Sequence, residues 1–144
     1  MRWLRTGPTA CRSMLYLDSS AIVKLVSPEP ESPVLVDVVR EDPSLVASEL
    51  GWTEVVRAVR RAGGSTDRAE AVLQGVALIP IDGGIIQAAA ELDPPNLRTL
   101  DAIHLATALS VGDDLTRLIS YDDRLIRAAA AAGIQVASPG SEAI

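Results

Sequence analysis

The chain has 144 residues, 48% of them apolar and 22% charged, with a net charge of −6. That length holds one domain with a real core and is short for two, and no apolar run approaches the roughly 20 residues of a membrane span. One cysteine excludes an internal disulfide and fits a reducing cytoplasm, and one histidine, His104, excludes HExxH and Cys/His zinc sites. Any metal must therefore be held mainly by oxygen, which points to Mg²⁺ or Mn²⁺. The acidity argues against long-range attraction to nucleic acid and suits a basic protein partner.

Residues 1–13 carry three arginines and no acid, with no apolar stretch for a signal peptide. They read as an N-terminal extension, disordered or created by a start codon placed too early, with Met14 as the functional start. Leu15-Tyr16-Leu17 reads as a buried strand ending at Asp18. Ala21, Ile22, Leu25 and Val26 then recur at helical spacing. Asp18 is either only the N-cap of that helix or a ligand-binding acid at a strand's carboxyl end. Pro28, Pro30 and Pro33 interrupt the chain, and a second helix carries Val34, Leu35, Val38 and Val39. Leu45-Val46-Ala47 is a second strand, and Ser48 caps a helix with Trp52, Val55, Val56 and Val59 on one face. Gly63-Gly64 ends it, and Ser65, Thr66 or Asp67 caps another helix running to about Gly75. Val76 to Ile81 is a third strand, and Asp82-Gly83-Gly84 opens a helix that stops at Asp93-Pro94-Pro95. Leu100 to Val111 is apolar nearly all round, which predicts a buried helix. Leu115 to Tyr121 is a fourth strand running into Asp122-Asp123 and a further helix. Ile134 to Val136 is a short last strand, and residues 139–144 form a polar tail.

Strands and helices alternate, which predicts a mainly parallel sheet of four to five strands with helices on both faces, an α/β/α sandwich in a single domain over 14–138. That arrangement brings four carboxylates to one sheet edge: Asp18, Glu54, Asp101 and Asp122. Each has a structural explanation when taken singly. The three aspartates would favour helix N-termini by about 0.3–1 kcal/mol each, and Glu54 could pair with Arg57. His104 follows Asp101 by three residues and could hold its side chain. Together the acids are harder to explain. Two carboxylates about 4 Å apart repel by about 4 kcal/mol at an effective dielectric of about 20. Only Lys24, Arg57, Arg98 and Arg124 lie near these motifs in sequence, so a divalent cation is the economical answer.

Four segments carry a family resemblance. LYLDSSAIVKL, TEVVRAVRR, LRTLDAIHLATAL and ISYDDRL occur in the order of the motifs of PIN-domain ribonucleases. From Met14 to about Val136 the chain resembles that family, specifically the VapC-type toxins of bacterial toxin–antitoxin pairs. The resemblance implies Asp18, Glu54, Asp101 and Asp122 as catalytic acids and metal ligands, with Ser120 in support and Ser19 and Ser20 at the first turn. It implies a cytoplasmic, Mg²⁺- or Mn²⁺-dependent endoribonuclease that hydrolyses RNA phosphodiesters by metal-activated water. Asp18 and Asp101 would be the principal ligands. Lys24, Arg57, Arg60 and Arg61 would contact the RNA backbone.

The implied partners are RNA and a small VapB-type antitoxin, with homodimers and toxin–antitoxin hetero-oligomers. Apolar parts of the first two helices, around Ile22, Val26, Leu35 and Val39, would receive the antitoxin's helix. Glu54 is preferred to Glu49 as the second acid. The two lie about 140° apart on one helix, and the Glu-x-x-Arg-Ala match begins at Glu54. Asp123 reads as a solvent-facing acid of the first helical turn. A haloacid-dehalogenase-type phosphatase would need a second acid where Ser20 stands. A receiver domain would need a lysine after a late strand, and the only lysine is Lys24. The remaining alternative is a non-catalytic PIN-like module that binds RNA or protein.

Overall fold

The computed structural model describes residues 13–41 and 44–141. The N-terminal extension up to residue 12 and the last three residues of the tail lie outside them. The elements run β1 (Met14–Leu17), α1 (Ser19–Val26), α2 (Ser32–Glu41), β2 (Leu45–Ser48), α3 (Leu50–Arg61), α4 (Thr66–Gln74) and β3 (Ala77–Ile79). They continue with α5 (Gly83–Ala90), α6 (Thr99–Ser110), β4 (Leu115–Ile119), α7 (Asp123–Ala131) and β5 (Val136–Ala137). The five strands form one parallel sheet in the order β3-β2-β1-β4-β5. The chain builds outward from β1 in one direction and then crosses to build in the other. The carboxyl end of β1 is thus the point where strand order reverses, which is where open α/β sheets place ligands.

Strand alternation distributes the core. Leu15 and Leu17 face one layer with Ile22, Val26, Leu35, Val55, Val59 and Leu73, from α1 to α4. Met14 and Tyr16 face the other with Leu105, Leu125 and Ala128, from α6 and α7. Helix α5 packs on α6 through Ile85, Ala89, Ala102 and Ala106. With no phenylalanine to fill space, closeness comes from alanine. Ala21, Ala47, Ala108 and Ala129 are fully buried and let helix backbones approach the sheet.

Helix ends follow their local chemistry. Asp18, Ser65, Asp82 and Asp122 each accept a backbone N–H as N-caps. Helix α3 closes with Gly63 at φ +75°. The N–H of Gly63 donates to Arg60 and that of Gly64 to Val59, a turn that favours glycine. Ser48 ends β2 rather than capping α3. The N-cap position falls on Glu49, although the Ser48 hydroxyl still accepts the Leu50 N–H at 3.1 Å. The third and fourth strands stop two residues before the apolar runs do, because pairing ends where the neighbouring strands end. The last strand sits later than expected, at Val136–Ala137.

One expectation is overturned. Ile22, Val26 and Leu35 are buried in the core beneath α1 and α2 and form no exposed groove. Their helical spacing marks the face that packs on the sheet. Beyond β5, Ser138 donates its hydroxyl to the Ser120 carbonyl, and Tyr121 donates its hydroxyl to the Pro139 carbonyl. The start of the polar tail is therefore tied to the loop after β4. No helix among the described residues is long and apolar enough to cross a membrane.

Candidate active site

Asp18 stands at the sheet's switch point and is only 4% exposed. Its Oδ1 accepts the Ala21 N–H at 3.0 Å and the Ser20 hydroxyl at 2.6 Å. Its Oδ2 accepts the Ser120 hydroxyl at 2.6 Å. Each serine is fixed in turn. Ser20 accepts the Tyr121 N–H, and Ser120 accepts the Asp122 N–H. Both strand-to-helix turns that feed the site are thus locked onto one carboxylate. Burial raises the pKa of Asp18 from its ordinary value, and the donors from Ser120, Ser20 and Ala21 only partly offset it.

Glu54 comes from α3, one turn in. It accepts the Ser19 hydroxyl and bonds His104 Nε2 at 2.6 Å. His104 Nδ1 lies 2.7 Å from the hydroxyl of Tyr16, which also accepts the Ser48 N–H at 3.3 Å. The His104 ring thus bridges the Tyr16 hydroxyl on one side and the Glu54 carboxylate on the other. Burial alone would raise the carboxyl pKa of Glu54. The hydrogen bond from His104 and its electrostatic attraction, with the Ser19 hydroxyl, outweigh it and hold it below its ordinary value. His104 therefore holds Glu54, not Asp101, because α6 turns it toward α3 across the end of β1. Tyr16→Phe is expected to strand the Ser48 N–H and His104 Nδ1 together, lowering stability by about 1–3 kcal/mol in chemical denaturation. An unchanged midpoint would show that this chain of bonds is not holding the layers.

Asp101 lies in the first turn of α6 and Asp122 at the N-cap of α7. Arg98 spans both, with Nε at 3.0 Å from Asp101 and Nη2 at 3.1 Å from Asp122. Asp101 is buried, whereas the Arg98 side chain is 54% exposed. All four acids line one cleft of about 380 Å³, together with Ser19, Ser20, Arg98 and His104. Four carboxylates thus face one guanidinium and one imidazole. Among the described residues, no three acids or histidines converge as a ready ligand set. Every buried side-chain polar atom among them has a partner.

The other residues singled out from sequence fall elsewhere. Glu49 accepts the Ile81 N–H at 2.7 Å and does not line the cleft. Asp123 is exposed on the first turn of α7. Ser120 is fully buried behind Asp18. Lys24 is held by Glu29 at 3.1 Å and Glu31 at 2.6 Å and lies over the ring of Tyr121. Arg57 and Arg61 line an adjoining cleft of about 740 Å³ that shares Ser19, Ser20, Glu54 and Leu100 with the acidic one, whereas Arg60 lines neither. Sequence reading missed the pairing of Tyr16 with His104 and the bridge made by Arg98. The first joins β1 to α6 across 88 residues, and no local spacing encodes it. The second was half readable, since Arg98 precedes Asp101 by three residues.

Comparison with known proteins identifies the family. A PIN domain family model matches residues 15–131. Ribonuclease VapC46 of Mycobacterium tuberculosis is 46% identical over 126 residues, covering 87% of this chain and 97% of that protein. Ribonuclease VapC47 from the same species is 37% identical, covering 89% and 98%. Among solved structures, a toxin–antitoxin complex from Klebsiella pneumoniae has a chain that superposes with a TM-score of 0.66 at 24% identity, covering 87% of this chain and 97% of that one. The sarcin–ricin-loop-cleaving toxin VapC20 of Mycobacterium tuberculosis gives 0.65 at 16% identity, covering 83% and 95%. The matched span contains all four acids, their supporting serines and the whole switch-point cleft, and on these grounds the chain belongs to the PIN-domain family, among its VapC-type ribonucleases.

Proposed function

We propose that this protein is the toxin of a toxin–antitoxin pair, a divalent-metal-dependent endoribonuclease acting in the cytoplasm. The observation that carries the proposal is that Asp18, Glu54, Asp101 and Asp122 all line one cleft at the sheet's switch point. The names of the relatives support the same reading. The residues fit a hard cation: the charged donors are all carboxylate oxygens, and buried Asp18 has only neutral donors on its own oxygens. Asp18 and Asp101 would be the principal holders of Mg²⁺ or Mn²⁺, with Glu54 and Asp122 completing the pocket. When bound, such an ion stabilises charge on phosphoryl oxygens and lowers the pKa of a water.

The chain's own residues do the rest. Ser20 and Ser120 fix the direction of the Asp18 carboxylate, and each is fixed by a backbone N–H from the β4–α7 turn. His104, anchored on Tyr16, holds Glu54 ionised and aimed. Arg98 can exchange a carboxylate for a phosphate oxygen, because its fork matches either. Arg57 and Arg61 offer the incoming strand cations on the α3 side.

The partner is a small antitoxin that covers this cleft, a reading favoured by the toxin–antitoxin complex among the similar structures. Self-association as a homodimer belongs to the same proposal. RNA incubated with the purified chain and Mn²⁺ is expected to be cut, and chelation by EDTA is expected to stop it. Cleavage that persists in EDTA would overturn the metal dependence.

A further inference from the structure

Beside the acidic cleft lies a second groove of about 700 Å³ between the α5–α6 connection and α7. Arg98 belongs to both. Three of the groove's lining residues are arginines, Arg98, Arg124 and Arg127, and none is acidic. Arg98 is already held by Asp101 and Asp122, so the groove's local excess of positive charge, in a chain of net charge −6, comes from Arg124 and Arg127. On α7, Arg124, Arg127, Ala128 and Ala131 fall at i, i+3, i+4 and i+7, so they form one stripe. The two alanines keep the floor low between the arginines. Arg124 and Arg127 are exposed, and neither makes an ion pair among the described residues. On the α3 side the balance differs: that cleft contains Glu29 and Glu54, and Lys24 is already neutralised.

We propose that the α7 groove is a phosphate-binding subsite for the single-stranded RNA that flanks the scissile bond. The inference rests on the nuclease reading and extends it to a strand path. RNA would pass Arg57 and Arg61, cross the carboxylates, and leave over Arg98 toward Arg124 and Arg127. Guanidinium forks match phosphate oxygens two at a time, and the volume suits a nucleotide-sized group. With no aromatic side chain in the lining, the groove holds backbone and reads no base. An acidic segment of a protein partner is the competing occupant, and the test separates it.

The test compares the full chain with its Arg124→Ala/Arg127→Ala variant on a short labelled single-stranded RNA. Both side chains are exposed, so the variant should unfold at the wild-type temperature. In single-turnover cleavage with Mn²⁺, the half-saturating protein concentration should rise about tenfold at physiological salt while the limiting rate stays within about twofold. The slope of log affinity against log salt should shrink by about 1.4, from two lost contacts at about 0.7 each. Arg40→Ala, which removes a charge from α2, should leave the slope alone. Fluorescence anisotropy in EDTA reads binding without cleavage. A wild type that binds the RNA but never cuts it overturns the nuclease reading alone. Equal affinity and equal salt slope for wild type and variant overturn the groove alone. Unchanged RNA binding with weakened binding of a poly-glutamate peptide would assign the groove to an acidic protein segment and overturn the RNA assignment.

Discussion

Asp18→Asn is expected to reduce RNA cleavage by more than about 100-fold, beyond the loss that follows removal of a group supporting a metal ligand. The fold should survive, because the substitution keeps the side chain's shape and its acceptor for the Ala21 N–H. Stability in the metal-free state should move the other way from activity. The carboxyl pKa of Asp18 is raised from 3.8 by burial, so the folded state holds that proton more tightly than the unfolded chain. The stabilisation from the protonated form is complete below the unfolded value and is lost as pH rises through the folded one. The melting temperature of Asp18→Asn relative to wild type should therefore be more favourable at neutral pH than near 3.8. A difference that does not change with pH would mean the carboxylate is not under strain. Full cleavage by the variant would remove Asp18 from the chemistry.

Saturating Mn²⁺ is expected to raise the melting temperature of the wild type by about 5–10 °C. At about 100 times the dissociation constant, a ligand specific for the folded state adds about 2.7 kcal/mol. For a domain near this size, about 1 kcal/mol shifts the midpoint by about 2–4 °C. The physical source is the charge imbalance of the cleft, where Arg98 alone spans Asp101 and Asp122. Asp101→Asn should lose most of the shift. Differential scanning fluorimetry with and without EDTA measures it directly. A wild type whose midpoint ignores the ion would contradict the assigned site even if some nuclease activity were found.

The layout of the fold was legible because its signals are local. Apolar runs of strand length, each followed by helical spacing, gave the alternation that forces a parallel sheet. The acids could be placed because Asp18 and Asp122 end strands and Asp101 opens a helix. What was not legible is long-range. The pairing of His104 with Glu54 depends on how α6 crosses α3, which no spacing within either helix encodes. Lys24 looked available in sequence, yet Glu29 and Glu31 curl back from the turn before α2 to hold it. Ile22, Val26 and Leu35 showed an apolar face correctly, but periodicity says only that a face is covered. The sheet covers it, not a partner. Arg124 stood near an acidic motif in sequence, but only the fold sets it and Arg127 beside Arg98.

The most direct measurement is the sequencing of RNA 5′ ends after brief expression of this chain without a partner, beside Asp101→Asn expressed to the same level. A discrete set of new 5′ ends is expected with the wild type and none with the variant. The same new ends in both, or none in either, would contradict RNA cleavage by the carboxylate cleft.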